Sequence, residues 1–405
     1  MKKNHFAPFL ACAVVLTVSV TSLGKDKDKV ALFSDAEVNF KLVMKTLLEK
    51  HFDKSLTKDE LYRAATAGML ESLNGKTNGK EQNWNKLLSP DDYHALKLEL
   101  SGKVAGIGAE MKFDSTSGHA TLIRVIEGSP ADKAGLKVED QILSVEGQKF
   151  KGKTLEDLVG VIRGSVGTKV ALKVLREDEV LDMDVKRDTI AWTRVDMQSI
   201  DSSTALLTIG YFTEDTPKLV EELLRQVNGD GIRKLIVDVR NNAGGGFEQA
   251  IQTADYFLPK DSLIVSAKDR TGKAQDYKSK TGLLDKKVQL LLLTNGETKS
   301  GAELFVAALK ENRSVEIVGE PTFGKWTAQS VESLPNQFAL KYTVSEFRSP
   351  NGNSYQNMGV KPDVEVGLAK DLDARELHSK YNINKRIDKD AQLKAAVEIL
   401  RAPAL

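Results

Sequence analysis

The chain has 405 residues, 28% charged and 41% hydrophobic, with 30 Gly, 10 Pro and a single Cys. That length predicts two or three domains, each able to bury its own core, and the composition excludes a disordered, collagen-like or low-complexity chain. One cysteine excludes intrachain disulfides, a Cys-rich zinc module and an iron–sulfur cluster, and a net charge of +1 provides no field to recruit nucleic acid.

Residues 1–24 place Lys2 and Lys3 before an apolar run from about Phe6 to Val20, then small residues and the charged stretch Lys25-Asp26-Lys27. This is the layout of an export signal cleaved near Ser22 to Gly24, and the run falls short of the roughly 20 residues that span a bilayer. The expected compartment is the periplasm or the exterior, with no integral membrane segment after cleavage. Cys12 lies inside this segment, so the mature chain has no thiol.

Residues 25–103 read as helical. Val38, Leu42, Val43, Leu47 and Leu48 mark one apolar face, and Leu61, Ala64, Ala65, Met69, Leu70 and Leu73 another. Asn74 to Asn85 is polar and glycine-bearing, which predicts a loop. Ser89 and Pro90 then suit the N-cap and first position of a further helix.

Residues 104–187 change to short strands between glycine turns, at Thr121–Ile126, Gln141–Val145 and Lys169–Val174, with one helix from Thr154. A small β-barrel with a flanking helix fits. Gly106-Ile107-Gly108-Ala109 precedes a strand, where successive N–H groups can form a nest for a terminal carboxylate. The groove between that strand and the helix, on the side of Leu155 and Val159, would accept an extended peptide by strand addition.

Residues 188–368 alternate strands and helices. Leu235–Val239 and Val288–Leu293 are near-continuous apolar runs, the mark of strands covered on both faces. The segment 369–405 is charged and helical.

Chemistry concentrates in this α/β segment. Gly319 to Lys325 has phosphate-loop spacing, but Trp326 stands where a magnesium-binding Ser or Thr is needed and Pro321 removes a donor. Arg240-Asn241-Asn242-Ala243-Gly244-Gly245-Gly246 follows a buried strand, where glycines permit close backbone approach and an oxyanion-stabilising N–H. Ser300 sits at the amino end of a helix running to about Asn312, a position equally suited to a nucleophile or a simple N-cap.

Histidine occurs only at 5, 51, 94, 119 and 378, so none lies within the stretch that carries these motifs. That disfavours a Ser-His-Asp triad, and no HExxH or thiolate set supports metal hydrolysis. Lysine is the remaining base. To accept a proton it must be neutral, which requires burial or cationic neighbours, and Lys325 lies in the apolar setting Phe323-Gly324-Lys325-Trp326.

Two resemblances sharpen this reading. Gly128-Ser-Pro-Ala-Asp-Lys-Ala-Gly-Leu136 and Asp140 to Gly147 resemble a PDZ domain in its permuted bacterial form, which implies binding of protein C-termini. Arg240 to Gly245, Ser300-Gly-Ala-Glu303, Val318 to Lys325, Gln329, Ser349 to Asn353 and Gly359 to Asp363 resemble the carboxy-terminal processing peptidases, or tail-specific proteases. The likeness runs from about Leu61 to Val366. It implies a multidomain α/β protein with an N-terminal helical region, a PDZ-like β-barrel and a crotonase/ClpP-like protease core. It further implies a Ser/Lys dyad of nucleophile Ser300 and base Lys325, with Gln329 orienting the lysine. The N–H of Gly301 and one from Gly244 or Gly245 would form the oxyanion hole, with no metal or cofactor required.

Lys299 beside the nucleophile and Trp326 after the base depart from the family pattern. They motivate an alternative, a catalytically inactive PDZ adaptor on a protease fold. A crotonase-like acyl-CoA enzyme is a third reading, disfavoured by the export segment and the peptide-reading domain.

Overall fold

A computed structural model describes residues 35–77, 80–191, 195–369 and 372–402; the export signal expected over residues 1–24 lies outside them. The chain divides at Ala65/Thr66 into two units. The first holds α1 (Asp35–Lys50) and the start of α2 (Lys58–Ser72). Of the stripe expected on α1, Val38, Leu42, Val43 and Leu48 are exposed, and Met44 is its buried residue.

In the second unit the expected polar loop contains a minimal hairpin, β1 (Lys76–Thr77) with β2 (Lys80–Glu81). Its base is closed by side chains: the Asn85 N–H donates to Asn74 Oδ1 at 2.8 Å, and Asn74 Nδ2 donates to the Asn85 carbonyl at 3.1 Å. Such amide pairing satisfies backbone groups that hydropathy patterning does not register. After it come β3 (Lys86–Leu88) and α3 (Pro90–Leu100), the latter capped by Ser89 as expected.

β4 (Lys103–Gly106) leads into the small β domain: β5 (Ala109–Asp114), β6 (His119–Val125), α4 (Pro130–Lys133), β7 (Gln141–Val145), α5 (Leu155–Ile162), β8 (Lys169–Arg176) and β9 (Glu179–Lys186). The three expected strands are β6, β7 and β8. They lie inside a five-stranded antiparallel sheet ordered β5-β6-β7-β8-β9. β5 is the strand expected after the Gly106–Ala109 turn, and β9 escaped the sequence reading because its residues are mostly exposed and interleaved with charges. α5 begins in a capping box, with Thr154 Oγ1 accepting from the Asp157 N–H while Asp157 Oδ2 accepts from the Thr154 N–H. Its Leu158 and Ile162 join Leu122, Ile142, Val170, Leu172 and Val174 in the domain's core.

β10 (Asp188–Ala191) pairs back with β4 and closes the domain's two ends together. The α/β segment then supplies β11 (Val195–Ser199), β12 (Thr204–Ile209), α6 (Thr216–Gly229), β13 (Lys234–Asp238), α7 (Phe247–Phe257), β14 (Leu263–Asp269), β15 (Ala274–Lys278), β16 (Gln289–Thr294), α8 (Gly301–Arg313), β17 (Glu316–Gly319), β18 (Thr327–Ser333), β19 (Ala339–Arg348) and β20 (Val364–Glu365). The main sheet runs β11-β12-β13-β16-β17-β20, parallel from β12 onward. A second sheet runs β15-β14-β19-β18, with β3 added to β19.

The chain ends in α9 (Ala374–Lys380), α10 (Ile383–Lys389) and α11 (Ala391–Arg401). The sequence left their role open. Leu393, Ala396, Val397 and Leu400 of α11 pack on Leu206, Ile236, Leu291 and Leu293, covering one face of the main sheet. The other face carries α6, α7 and α8. The apolar runs in β13 and β16 are thus explained: both faces are buried.

Candidate active site

The site lies at the carboxyl edge of the main sheet, where β13 and β16 each end in a loop feeding a helix. Side chains lace the two loops together. Asn295 Oδ1 accepts from the Asn241 N–H at 2.9 Å, the Lys299 N–H donates to the Asn242 carbonyl at 2.8 Å, and Thr298 Oγ1 donates to the Val239 carbonyl at 2.9 Å. These bonds hold Ser300 at φ 54° and ψ −117°, a conformation that costs a non-glycine residue of order 1–3 kcal/mol. Strain of this kind, kept in place by surrounding bonds, turns a side chain out of the path an ordinary helix start would give it.

Glu303, one turn into α8, is the hub. Its carboxylate accepts from the Ser300 N–H (2.9 Å), the Thr322 hydroxyl (2.6 Å), the Gly324 N–H (2.6 Å) and the Lys325 N–H (2.7 Å). One buried carboxylate therefore ties the Ser300 turn to the loop that carries Lys325. Burial pushes its pKa up, and the four hydrogen bonds pull the other way. The donors that gave Gly319 to Lys325 its phosphate-loop look are here occupied by Glu303.

Lys325 has its pKa brought down to about 7, chiefly by burial, then by the cations of Lys341 and Lys299, with Glu303 opposing. The Lys325 ammonium stands 4.1 Å from the centroid of the Trp84 ring. Lys299 is held by Glu297 at 2.6 Å and lies over the Phe323 ring, so the cation beside Ser300 does not line the cavity. Trp326 is fully buried against Tyr355, its backbone N–H donating to Gln356 Oε1. It does not line the cavity and packs in the core instead.

Ser300, Gly301, Gly245, Lys325, Gln329 and Lys341 line one cavity of about 400 Å³. Among the sequence-selected residues only Gly244 is missing from it, because its N–H donates to Asn242 Oδ1 at 2.8 Å. Gly244 serves close packing instead: a Cβ there would stand 2.9 Å from the Lys299 carbonyl and 3.0 Å from Ser300 Cβ. Gln329 donates to Thr327 Oγ1 at 3.1 Å, and no hydrogen bond joins it to Lys325 among the described residues. Nor does one join Lys325 to Ser300. His378 lies elsewhere, bonded to Arg386 and 3.5 Å from Asp196, and His119 sits on the small β domain.

Sequence reasoning passed over Glu303, Asn242, Lys341 and Trp84 as site residues. Glu303 carried a signal, three residues after Ser300 in an apolar helix. Lys341 and Trp84 carried none, since they arrive through pairing of β19 with β3.

The six residues expected to read a peptide tail, Gly106, Ile107, Gly108, Ala109, Leu155 and Val159, line a single groove of about 300 Å³. Gly108 adopts φ +83°, and a Cβ there would meet Ser129 Cβ at 2.4 Å. The groove also reaches Glu99, Tyr211 and Ala243, which line the Ser300 cavity as well.

Comparison with known proteins places this geometry. Residues 203–366 match the model for peptidase family S41, and residues 123–176 match that for a PDZ domain. The carboxy-terminal processing protease CtpA of Bacillus subtilis is 31% identical over 311 residues, covering 76% of this chain and 65% of that protein. A CtpA-like serine protease of Staphylococcus aureus is 27% identical over 381 residues, covering 91% of this chain and 74% of that protein. Among solved structures, the photosystem II D1 C-terminal processing protease has a TM-score of 0.53 at 22% identity, covering 83% of this chain and 94% of that one. An S41 protease from Bacteroides fragilis has a TM-score of 0.56 at 18% identity, covering 89% and 96%. Both share the fold. With the two motif blocks in one cavity and a PDZ domain ahead of them, the chain carries a peptidase family S41 segment over residues 203–366 and is similar to the serine-type C-terminal processing proteases.

Proposed function

We propose that this chain cleaves exported proteins that it captures by their C-termini in the Gly106–Ala109 groove, using Ser300 as nucleophile and Lys325 as base. The observation that carries the reading is a lysine with a pKa of about 7 in the same cavity as a backbone-strained serine at a helix amino end. A base titrating near the working pH is both available as the free amine and able to hold the proton it takes.

Ser300 Oγ attacks the scissile carbonyl carbon as neutral Lys325 accepts the hydroxyl proton. The oxyanion that forms is met by the N–H groups of Gly301 and Gly245, while Gly244 holds the turn. The lysine ammonium then protonates the departing amine as the C–N bond breaks, leaving an acyl ester on Ser300. Water, deprotonated by Lys325, attacks the ester; the Ser300 oxygen leaves with the proton, and the amine is free again. Gln329, in the same cavity, would hold the amine toward Ser300 once its amide leaves Thr327.

Capture by the tail follows from the groove's continuity with the cavity through Tyr211 and Ala243. Export rests on residues 1–24; amino-terminal sequencing of the secreted protein should begin near Lys25. No helix among the described residues is long and apolar enough to cross a membrane.

The decisive assay is turnover of a peptide with an apolar C-terminus. Ser300→Ala and Lys325→Met should each lower kcat/KM by about a thousandfold or more. Wild-type turnover by Ser300→Ala would overturn the reading, and tail binding with no turnover by the wild type would favour the adaptor.

A further inference from the structure

The base does not rest on the nucleophile. It rests on Trp84, and nothing in the dyad reading explains why an indole should be there. Trp84 is not a stray side chain. Its neighbour Asn85 accepts from the Thr343 N–H at 2.8 Å and donates to the Leu73 carbonyl at 3.2 Å, and β3 pairs with β19 from Lys86 to Leu88. The indole is thereby carried on the same sheet whose strand β18 begins two residues after Lys325. It stands perpendicular to the Phe323 ring, at 6.5 Å between centroids and 86°, a T-shaped contact that orients the ring plane.

A ring face attracts an ammonium through its quadrupole and has no such hold on a neutral amine. The same Nζ must be an amine to accept the Ser300 proton. We infer that Trp84 is a positioning residue for Lys325, holding its side chain off Ser300 as the ammonium and releasing it as the amine. The inference rests on the dyad reading proposed above.

Other charges face Lys325 too. Glu303 of α8 favours the ammonium, while Lys341 of β19 and Lys299 of the nucleophile loop oppose it. Behind Lys341 stand Glu99 of α3 and Lys86 of β3. None of these distinguishes a lysine seated on Trp84 from one seated on Ser300 by its ring contact, so removal of the indole face isolates the effect.

The test is the pH profile of kcat/KM for the full mature chain and its Trp84→Leu and Trp84→Phe variants. In Trp84→Leu the acid-limb midpoint should fall by about half a unit to one and a half units, raising turnover on the acid limb by roughly three- to thirtyfold. Trp84→Phe, keeping a weaker face, should fall by less. Fluorinated tryptophan, which weakens the ring's negative face without changing its shape, should move the midpoint in the same direction should Trp84→Leu not fold. A midpoint that stays put in all three, or a uniform loss of rate at every pH, would overturn the inference. To separate this from failure of the dyad itself, the 13Cε resonance of Lys325, assigned by its absence in Lys325→Met, is titrated directly. It should show an upfield ring shift that vanishes in Trp84→Leu, whether or not the enzyme turns over; no ring shift in the wild type would overturn the seating on Trp84.

Discussion

At the residue scale, three side chains decide the chemistry. Lys325 works only as the free amine, so with its pKa near 7 the proposed activity should rise about tenfold per unit below pH 7 and level off above it. The same depression has a stability cost. The folded state binds fewer protons than the unfolded one between about pH 7 and the ordinary lysine value near 10.4, so stability rises with pH across that window and is lowest below it. Lys325→Met should therefore be more stable than wild type at pH 6, by about 1–3 kcal/mol in urea denaturation, while inactive. Equal stability of the two proteins would contradict the burial argument. Glu303 makes the opposite kind of prediction. Glu303→Gln presents an NH2 to a site where Ser300 and Lys325 both donate, so it should lose about 2–4 kcal/mol and, through displacement of both residues, about a hundredfold in kcat. Retention of wild-type kcat would mean that the carboxylate only supports the fold.

At the element scale, loops set the site and sheets set the loops. β13 and β16 are adjacent and parallel, so their carboxyl ends deliver the glycine turn and the Ser300 turn side by side. β18 and β19 deliver Lys325, Gln329 and Lys341 from a different sheet. The PDZ groove is separable from both. Gly108→Ala forces a Cβ onto Ser129 at a φ that disfavours side chains, so it should weaken binding of C-terminal peptides at least tenfold. Cleavage of short peptides that do not engage the groove should persist, and a parallel fluorescence-binding and turnover measurement separates the two. These boundaries were partly legible. The capped helices α3 and α5 and the apolar strands of the core announce themselves through local chemistry, whereas β9 and the small hairpin, though paired with near neighbours in the chain, hold too few apolar residues to mark them.

At the scale of the whole molecule, the charged carboxyl tail is structural. Arg240, at the end of the central strand, donates to both Asp238 and Asp390, and Arg386 donates to Asp238, so a buried ionic cluster fastens α10 and α11 to the core sheet. Burial alone would raise the Asp238 pKa; the two guanidiniums hold it at about 2. A depressed carboxyl contributes stability that is full above about pH 4 and lost as pH falls toward 2. Asp390→Asn leaves two buried guanidiniums facing a neutral amide and should cost about 3–5 kcal/mol of stability, read as a lowered Tm. A Tm within a degree of wild type would show that the cluster is dispensable.

Much of the function was written locally. The absence of histidine from the stretch of motifs disfavours a histidine-based triad from residue types alone, and the pairing of Ser300 with Lys325 is what the family resemblance implies. The glycines before β5 likewise announce a carboxylate-reading turn. What the chain in one dimension could not decide is which groups stand beside which. That Glu303 ties the Ser300 turn to the Lys325 loop, that Trp326 is core, and that Lys325 is seated on Trp84 all depend on contacts across roughly 20 to 240 residues. The physical reason is that hydrogen bonds, ion pairs and ring contacts fall off within a few ångströms. They belong to the folded arrangement of strands and loops, and spacing along the chain carries no record of them.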